Sequence, residues 1–291
     1  MKSIQLNDQP MFLQIGISRM GDKRGVSSDE IEVDADKDLV KVRKIIFKSP
    51  SFDKIKRLDS EIRRYVRSVC FPYESGLHLF PQKMVEIVNA RLELFSEQRF
   101  GYICIFAREF ENLKQEFPAK LRKLYNEKDY ETGDIASQFS MWWQILKIEV
   151  PPDLDKISSA MASEERKKLQ ARMQEAYEEA RMILRETLLD LVTHLRDSLE
   201  SDHYGAPKRL ATTTVTKLHE FLNQFNLRDI TNDTELGELV NQIQALTHGV
   251  DAESLRTLDG LRLRVRSELQ AAEEKLTEAV IVPPTRRIKV G

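Results

Sequence analysis

A mainly α-helical protein is predicted, built on a long antiparallel helical hairpin of coiled-coil type with a small two- or three-stranded β element and a C-terminal helical bundle. Three observations carry that expectation. Prolines stand at 10, 50, 72, 81, 118, 151, 152, 207, 283 and 284, so the intervals 153–206 and 208–282 lack the residue that removes a backbone donor. Apolar residues recur at three- and four-residue steps from Val85 through Val88, Leu92, Phe95, Ile103, Phe106, Phe110, Leu113, Phe117 and Leu121 to Leu124, broken only around Arg99 and Phe100. A second stripe runs through Leu169, Met173, Ala176, Ala180, Ile183, Leu188, Leu191 and Leu195. The spans Pro81–Phe117 and Glu164–Glu200 have the same extent, roughly 55 Å of helix each. Equal lengths invite pairing, so 81–128 is expected to pack against 160–201, with the strand 139–150 near the turn end of the hairpin.

The elements follow in order. Met11 to Ser18 is short, apolar and partly β-branched, and Gly21 and Gly25 follow it, so residues 1–26 read as a strand with a turn. A helix is expected from about Asp36 to Phe47. Ser49-Pro50 places a capping hydroxyl before a proline at the first helical position, which starts a helix from Ser51 to Cys70. Phe71 to Gly76 turns the chain as a loop, and Pro81 opens the next helix. Gly101 weakens that helix by roughly 1 kcal/mol relative to alanine and marks a close helix crossing.

Phe139 to Val150 ends in polar/apolar alternation before Pro151-Pro152 and reads as a strand. It is expected to share a sheet with Met11–Ser18, because a lone strand leaves its ladder groups unpaired. Residues 27–201 thus form the helical body. The C-terminal subdomain, 208–279, begins with a helix from Thr212 to Phe225. Asn232 with Glu235 reads as a capping box for a second helix ending near His248-Gly249. Asp251 caps a third, striped by Leu255, Leu258, Leu261, Val265, Leu269, Ala272 and Leu276. Residues 280–291 read as a flexible basic tail, with Arg286, Arg287 and Lys289 beyond two prolines.

Composition limits the function classes. The 291 residues carry 45 basic and 47 acidic side chains, a net charge of −2, so a wholly basic nucleic-acid protein is excluded and any phosphate binding must come from a local patch. The longest uninterrupted apolar run, Tyr102 to Ala107, is far short of the roughly 20 residues needed to span a bilayer, so no membrane association is expected. The first ten residues lack the apolar stretch of a secretory signal. Cys70 and Cys104 lie in apolar settings without a CxxC, as expected for buried free thiols in a reducing compartment. A cytoplasmic location follows.

The search for chemistry finds no catalytic constellation. Phosphate-cradling loops need closely spaced glycines before a helix, and Gly16, Gly21 and Gly25 have the wrong spacing. The five histidines, at 78, 194, 203, 219 and 248, are scattered. Glu200 with His203 is a single Glu-x-x-His where a di-iron bundle needs two, so it reads as a solvated helix terminus. Asp190 and His194 read as a surface ion pair at i, i+4. No cofactor, metal site or catalytic residue is assigned.

One surface stands out by charge. From Lys37 to Arg67 there are eleven basic residues (Lys37, Lys41, Arg43, Lys44, Lys48, Lys54, Lys56, Arg57, Arg63, Arg64, Arg67) against four acidic ones (Asp38, Asp53, Asp59, Glu61), a local balance of +7. Lys41, Lys44, Lys54, Lys56, Arg57, Arg63, Arg64 and Arg67 are the candidate nucleic-acid-binding residues. A salt-bridged, solvated helix face is the alternative, with Asp29, Glu30, Glu32, Asp34 and Asp36 placed upstream to neutralise it.

The segment Pro72-Tyr73-Glu74-Ser75-Gly76-Leu77-His78-Leu79-Phe80-Pro81, the run Val85 to Leu92, the Phe95–Phe110 stripe, the strand from Phe139-Ser140 to Val150-Pro151 and the helix start at Asn232-Asp233 together resemble a family of helical proteins of bacteria, phages and mobile elements. The resemblance covers about residues 11–250. That family is known only as a domain of unknown function, and it supplies no activity or site residues. Some members are encoded near MoxR-type AAA+ ATPases and von Willebrand A-type proteins, which implies a partner role. The leading expectation is therefore a non-enzymatic adaptor or assembly component of a phage or mobile-element system. It would bind a protein, either an AAA+ ATPase or a second copy of itself. Nucleic-acid binding through the basic helices 37–67 is the alternative.

Overall fold

A computed structural model describes residues 10–27, 30–31, 35–36, 39–74, 76–130, 133–200, 208 and 210–280. The fold is mainly α. Strand β1 (Pro10–Ser18), strands β2 (Lys23–Val26) and β3 (Val42–Ile45) and helix α1 (Pro50–Val69) lead into β4 (Phe71–Glu74), β5 (Leu77–Pro81) and the long α2 (Val85–Leu121). Then come β6 (Ser140–Leu146), the short α3 (Leu154–Ile157), α4 (Ser159–Ser198), α5 (Thr212–Arg228), α6 (Thr234–Thr247), α7 (Ala252–Thr257) and α8 (Asp259–Val280). The tail at 281–291 and His203 lie outside the described residues.

The chain divides into two compact units along an interleaved line. One takes Met1–Phe12, Cys70–Met84 and Leu146–Gly291; the other takes Leu13–Val69 and Val85–Ile145. The helical body expected at 27–201 is therefore shared between them. Each of the two long helices finds its own partner, and the hairpin expected between them is replaced. The α2 stripe is covered by α1 in the second unit, and the α4 stripe by α8 and α5 in the first. Matched length is no packing rule: an apolar stripe is buried by whichever element the chain connectivity delivers to it.

The β content is larger than expected. One sheet has four strands in the order β4-β5-β1-β6, and β2 and β3 form a separate two-stranded ribbon. β1 and β6 do neighbour one another, as their unpaired ladder groups require. The helix expected over 36–47 is instead β3, antiparallel to β2 in the register Lys23↔Ile45, Arg24↔Lys44, Gly25↔Arg43 and Val26↔Val42. Val40, Val42, Ile45 and Ile46 are β-branched, which favours an extended backbone over a helix. The loop expected at Phe71–Gly76 is a hairpin, since Gly76 at φ 79° supplies the left-handed turn between β4 and β5. Pro81 accordingly ends a strand, and α2 starts at Val85. Gly101 is exposed and open around its Cα, so it marks no helix crossing.

The first unit is held by apolar layers and by arginines that cap or bridge helices. Ala176, Ala180, Leu184, Leu188, Val192 and Leu195 of α4 pack with Val265, Leu269, Ala272 and Leu276 of α8 and with Val215, Leu218 and Leu222 of α5. Each fully buried leucine contributes about 1.5–3 kcal/mol. Arg262 of α8 donates to the carbonyls of Ser198, Leu199 and Glu200, which satisfies the otherwise orphaned C-terminus of α4. The α6 cap is Asp233, one residue after the expected Asn232: its carboxylate accepts from the Leu236 N–H at 3.2 Å. Asn232 instead takes a left-handed φ of 50°. Asp251 caps α7 as expected, with Ser254 completing the box, but the helix breaks after Thr257 and restarts as α8, leaving Leu258 exposed.

Arg185 of α4 grips Asp233 with two nitrogens, at 2.7 and 3.0 Å, and also donates to Glu235 and to the Ala279 carbonyl. Burial opposes ionisation of Asp233, but hydrogen bonds from Arg185 and the Leu236 N–H outweigh it and lower its pKa. A depressed carboxylate pKa adds stability that is complete above the unfolded value near 3.9 and is lost as pH falls through the folded value. In urea unfolding followed by circular dichroism, the midpoint is expected to fall below about pH 4, and Asp233→Asn is expected to flatten that acid limb.

Candidate nucleic-acid interface

The nominated cations belong to the second unit, and α1 positions most of them. Ser49 starts this helix: its hydroxyl accepts from the Phe52 N–H at 3.2 Å, and Pro50 fills the first helical position. Glu109 of α2 accepts hydrogen bonds from both Ser49 and Ser51, which fastens the N-terminus of α1 to α2. The inner face of α1 carries Phe52, Ile55, Leu58, Ile62 and Val66. Phe47, Phe52, Phe106, Phe110 and Phe139 form one aromatic cluster, with ring centroids 4.9 to 6.3 Å apart.

A buried ion pair lies within that inner face. Asp59 is 0% and Arg99 2% exposed. Asp59 accepts from Arg99 Nε at 2.8 Å through one oxygen and from Arg19 Nη1 at 2.8 Å through the other. Arg99 also donates to the Ser18 carbonyl at 2.7 Å, at the end of β1. Three elements, β1, α1 and α2, thus meet on one carboxylate.

With the apolar face of α1 turned inward, its remaining cations face solvent. Lys54, Arg57, Arg63, Arg64 and Arg67 are exposed, as is Lys41 just before β3. Lys41, Arg64 and Arg67 make no hydrogen bond or ion pair among the described residues, whereas Arg57 and Arg63 reach only main-chain oxygens of their own helix, each at 3.4 Å. Lys54 sits 5.9 Å from the Tyr102 ring. Both exposed acids of the helix have partners: Asp53 with Lys56, and Glu61 with Arg91.

Two nominated residues serve the fold. Lys44 points inward from β3 to Asp129 at 2.7 Å and to the Leu124 carbonyl at 2.6 Å. Lys56 bridges Asp53 and Asp22, and these hydrogen bonds raise its pKa. The β2–β3 ribbon adds cations that were not nominated: Lys23 and Arg43 are exposed on one face of it, and Lys48 is exposed just after it. These three also lack a hydrogen-bond or ion-pair partner among the described residues. For Arg43 the signal was the β alternation of 42–45, which a helical reading hides. Of the five acids expected to neutralise the patch, Asp29, Glu32 and Asp34 lie outside the described residues, while Glu30 and Asp36 are exposed in the segment between β2 and β3.

The other polar residues singled out in the sequence take separate places. His194 turns to Thr214 Oγ1 at 3.5 Å, and no ion pair with Asp190 forms. Cys104 is half-buried rather than buried, while Cys70 is buried, and burial pushes its thiol up to about 12. Among the described residues no group of three or more His, Cys, Asp or Glu side chains converges as a metal site, and no helix is long and apolar enough to cross a membrane. No protein-family model, curated protein or solved structure matches the chain, so this interface is read from its own geometry.

Asp59→Ala is expected to cost about 3–5 kcal/mol in urea unfolding, because it leaves Arg99 buried without a counter-charge. The double change Asp59→Leu with Arg99→Met is expected to restore most of that loss. Iodoacetamide followed by peptide mass spectrometry is expected to label Cys104 well before Cys70, because only a thiolate reacts.

Proposed function

We propose that this protein is a nucleic-acid-binding protein and that the solvent-facing cations of its second unit are the phosphate-contacting surface. One observation carries the reading: Lys23, Lys41, Arg43, Lys48, Arg64 and Arg67 are exposed and unpaired among the described residues, whereas the acids exposed on α1 are held by Lys56 and Arg91. A solvated helix face normally interleaves opposite charges. A face that leaves its cations uncompensated binds polyanions by releasing their condensed counterions.

A second reading rests on a different observation. Ile87, Leu94, Phe100 and Ile105 of α2 are exposed, which supports a protein partner; an adaptor role beside an AAA+ ATPase in a phage or mobile-element system is what the family resemblance would add. The charge pattern favours the first reading, because single exposed apolar side chains are common on soluble proteins.

Fluorescence anisotropy of a labelled oligonucleotide is expected to show binding that weakens steeply between about 50 and 200 mM salt. Arg64→Ala with Arg67→Ala is expected to lower the slope of log affinity against log salt by roughly 1.4–1.8. Absence of binding at low salt would remove this reading in favour of the adaptor.

A further inference from the structure

The outer face of β1 and β6, which belongs to the second unit from Leu13 to Ser18 and from Ser140 to Ile145, carries an ordered arrangement of side chains around one tryptophan. Side chains on this face pair across the two strands in one antiparallel register. Ser18 and Ser140 share a hydrogen bond at 2.8 Å, and Gln144 Nε2 donates to Gln14 Oε1 at 2.5 Å. Between these two pairs Trp142 lies flat across Gly16. A methyl group at Gly16 would overlap indole atoms Nε1, Cε2 and Cζ2, so only glycine lets the ring lie against the strand.

The consequence is an indole with one face held against the backbone and the other open. Trp142 is 48% exposed, and its indole N–H has no hydrogen-bond partner among the described residues. Trp143, the next residue, points to the other side of the sheet and donates to Asn89 of α2 at 2.9 Å. Of the two tryptophans, one is therefore a structural anchor and the other a flat ring presented to solvent between two amides and two hydroxyls.

We propose that this face is a stacking platform for an unpaired base of single-stranded nucleic acid. Trp142 would supply the stacking surface, and Gln14, Gln144, Ser18 and Ser140 the hydrogen-bonding groups around it. The inference rests on the nucleic-acid reading above and names its substrate class. Sheet faces with aromatic side chains bind splayed bases by stacking, and a neighbouring positive surface tracks the phosphates. The charge of the unit favours this occupant over a neutral sugar ring, since it exposes Lys23, Lys41, Arg43, Lys48, Arg64 and Arg67 without side-chain partners among the described residues. A base inside a duplex has both faces stacked and cannot reach the indole.

The test uses the full chain with labelled oligothymidylate of about 20 nucleotides, a duplex of equal length and cellohexaose, at low salt. The wild type is expected to bind the single strand more tightly than the duplex, and the single strand is expected to quench indole emission. Trp142→Phe is expected to bind within about threefold of wild type without that quenching. Trp142→Leu, which still covers Gly16, is expected to bind roughly 10–100-fold more weakly with an unchanged salt slope, its folding checked by circular dichroism. The platform is overturned, with the nucleic-acid reading intact, if Trp142→Leu binds like wild type or if the duplex binds as tightly as the single strand. It is also overturned if cellohexaose quenches the indole and oligothymidylate does not. No binding of either nucleic acid at low salt overturns the underlying reading as well.

Discussion

The carboxylate of Asp59 is the point on which the second unit depends. Removing a carboxylate and a guanidinium from water costs several kcal/mol each, and the loss is recovered only when geometry and hydrogen bonding are nearly complete. Here they are: both Asp59 oxygens are engaged, and Arg99 uses its remaining reach on the Ser18 carbonyl. An apolar contact between α1 and α2 tolerates sliding by a turn, because a stripe of similar side chains offers several registers. A paired charge in its middle leaves one register without an isolated buried ion. The aromatic cluster beside it supplies buried apolar surface, and the ion pair sets the alignment.

Both units use arginine as an internal connector. Arg185 joins α4 to the start of α6 and the end of α8, and Arg262 closes the end of α4. Arg228 is buried without a carboxylate, its guanidinium 5.8 Å from the rings of Phe71 and Phe221, where their electron-rich faces substitute for an anion. Burial lowers its pKa, though a guanidinium retains its charge far above neutrality. Against this pattern Arg64 and Arg67 of α1 and Lys23 and Arg43 of the β2–β3 ribbon differ in kind: their side chains make no hydrogen bond or ion pair among the described residues.

The starts of α1 and α7 and the main apolar stripes were readable because each rests on local chemistry. Ser49-Pro50 starts α1 and Asp251 starts α7 through hydrogen bonds within one turn of the chain, and the i, i+3, i+4 rhythm marks which side of α2 and α4 is buried. Partner choice was not readable, since periodicity shows that a face is buried and not what covers it. The apparent break at Arg99 illustrates this: a charged residue in phase with an apolar stripe looks like an interruption until Asp59, also in phase on its own helix, is seen opposite. Two polar residues each on the buried phase of a neighbouring helix were the available signal. Strand β3 was missed because basic residues alternating with β-branched ones also suit a short amphipathic helix. Sequence supplied the nominated cations as a group, while only the side a residue faces distinguishes Lys44 and Lys56 from Arg64 and Arg67.

The interleaved connectivity also orders events at the ribosome. Every residue of the second unit has been synthesised once Ile145 is made, so its aromatic cluster and the Asp59 pairing can close while the chain is still growing. The β4–β5 hairpin emerges long before α4, α5 and α8, whose apolar faces complete its unit. Phe71 and Leu79 therefore lack their α4, α5 and α8 neighbours until residues well beyond Ile145 have been made.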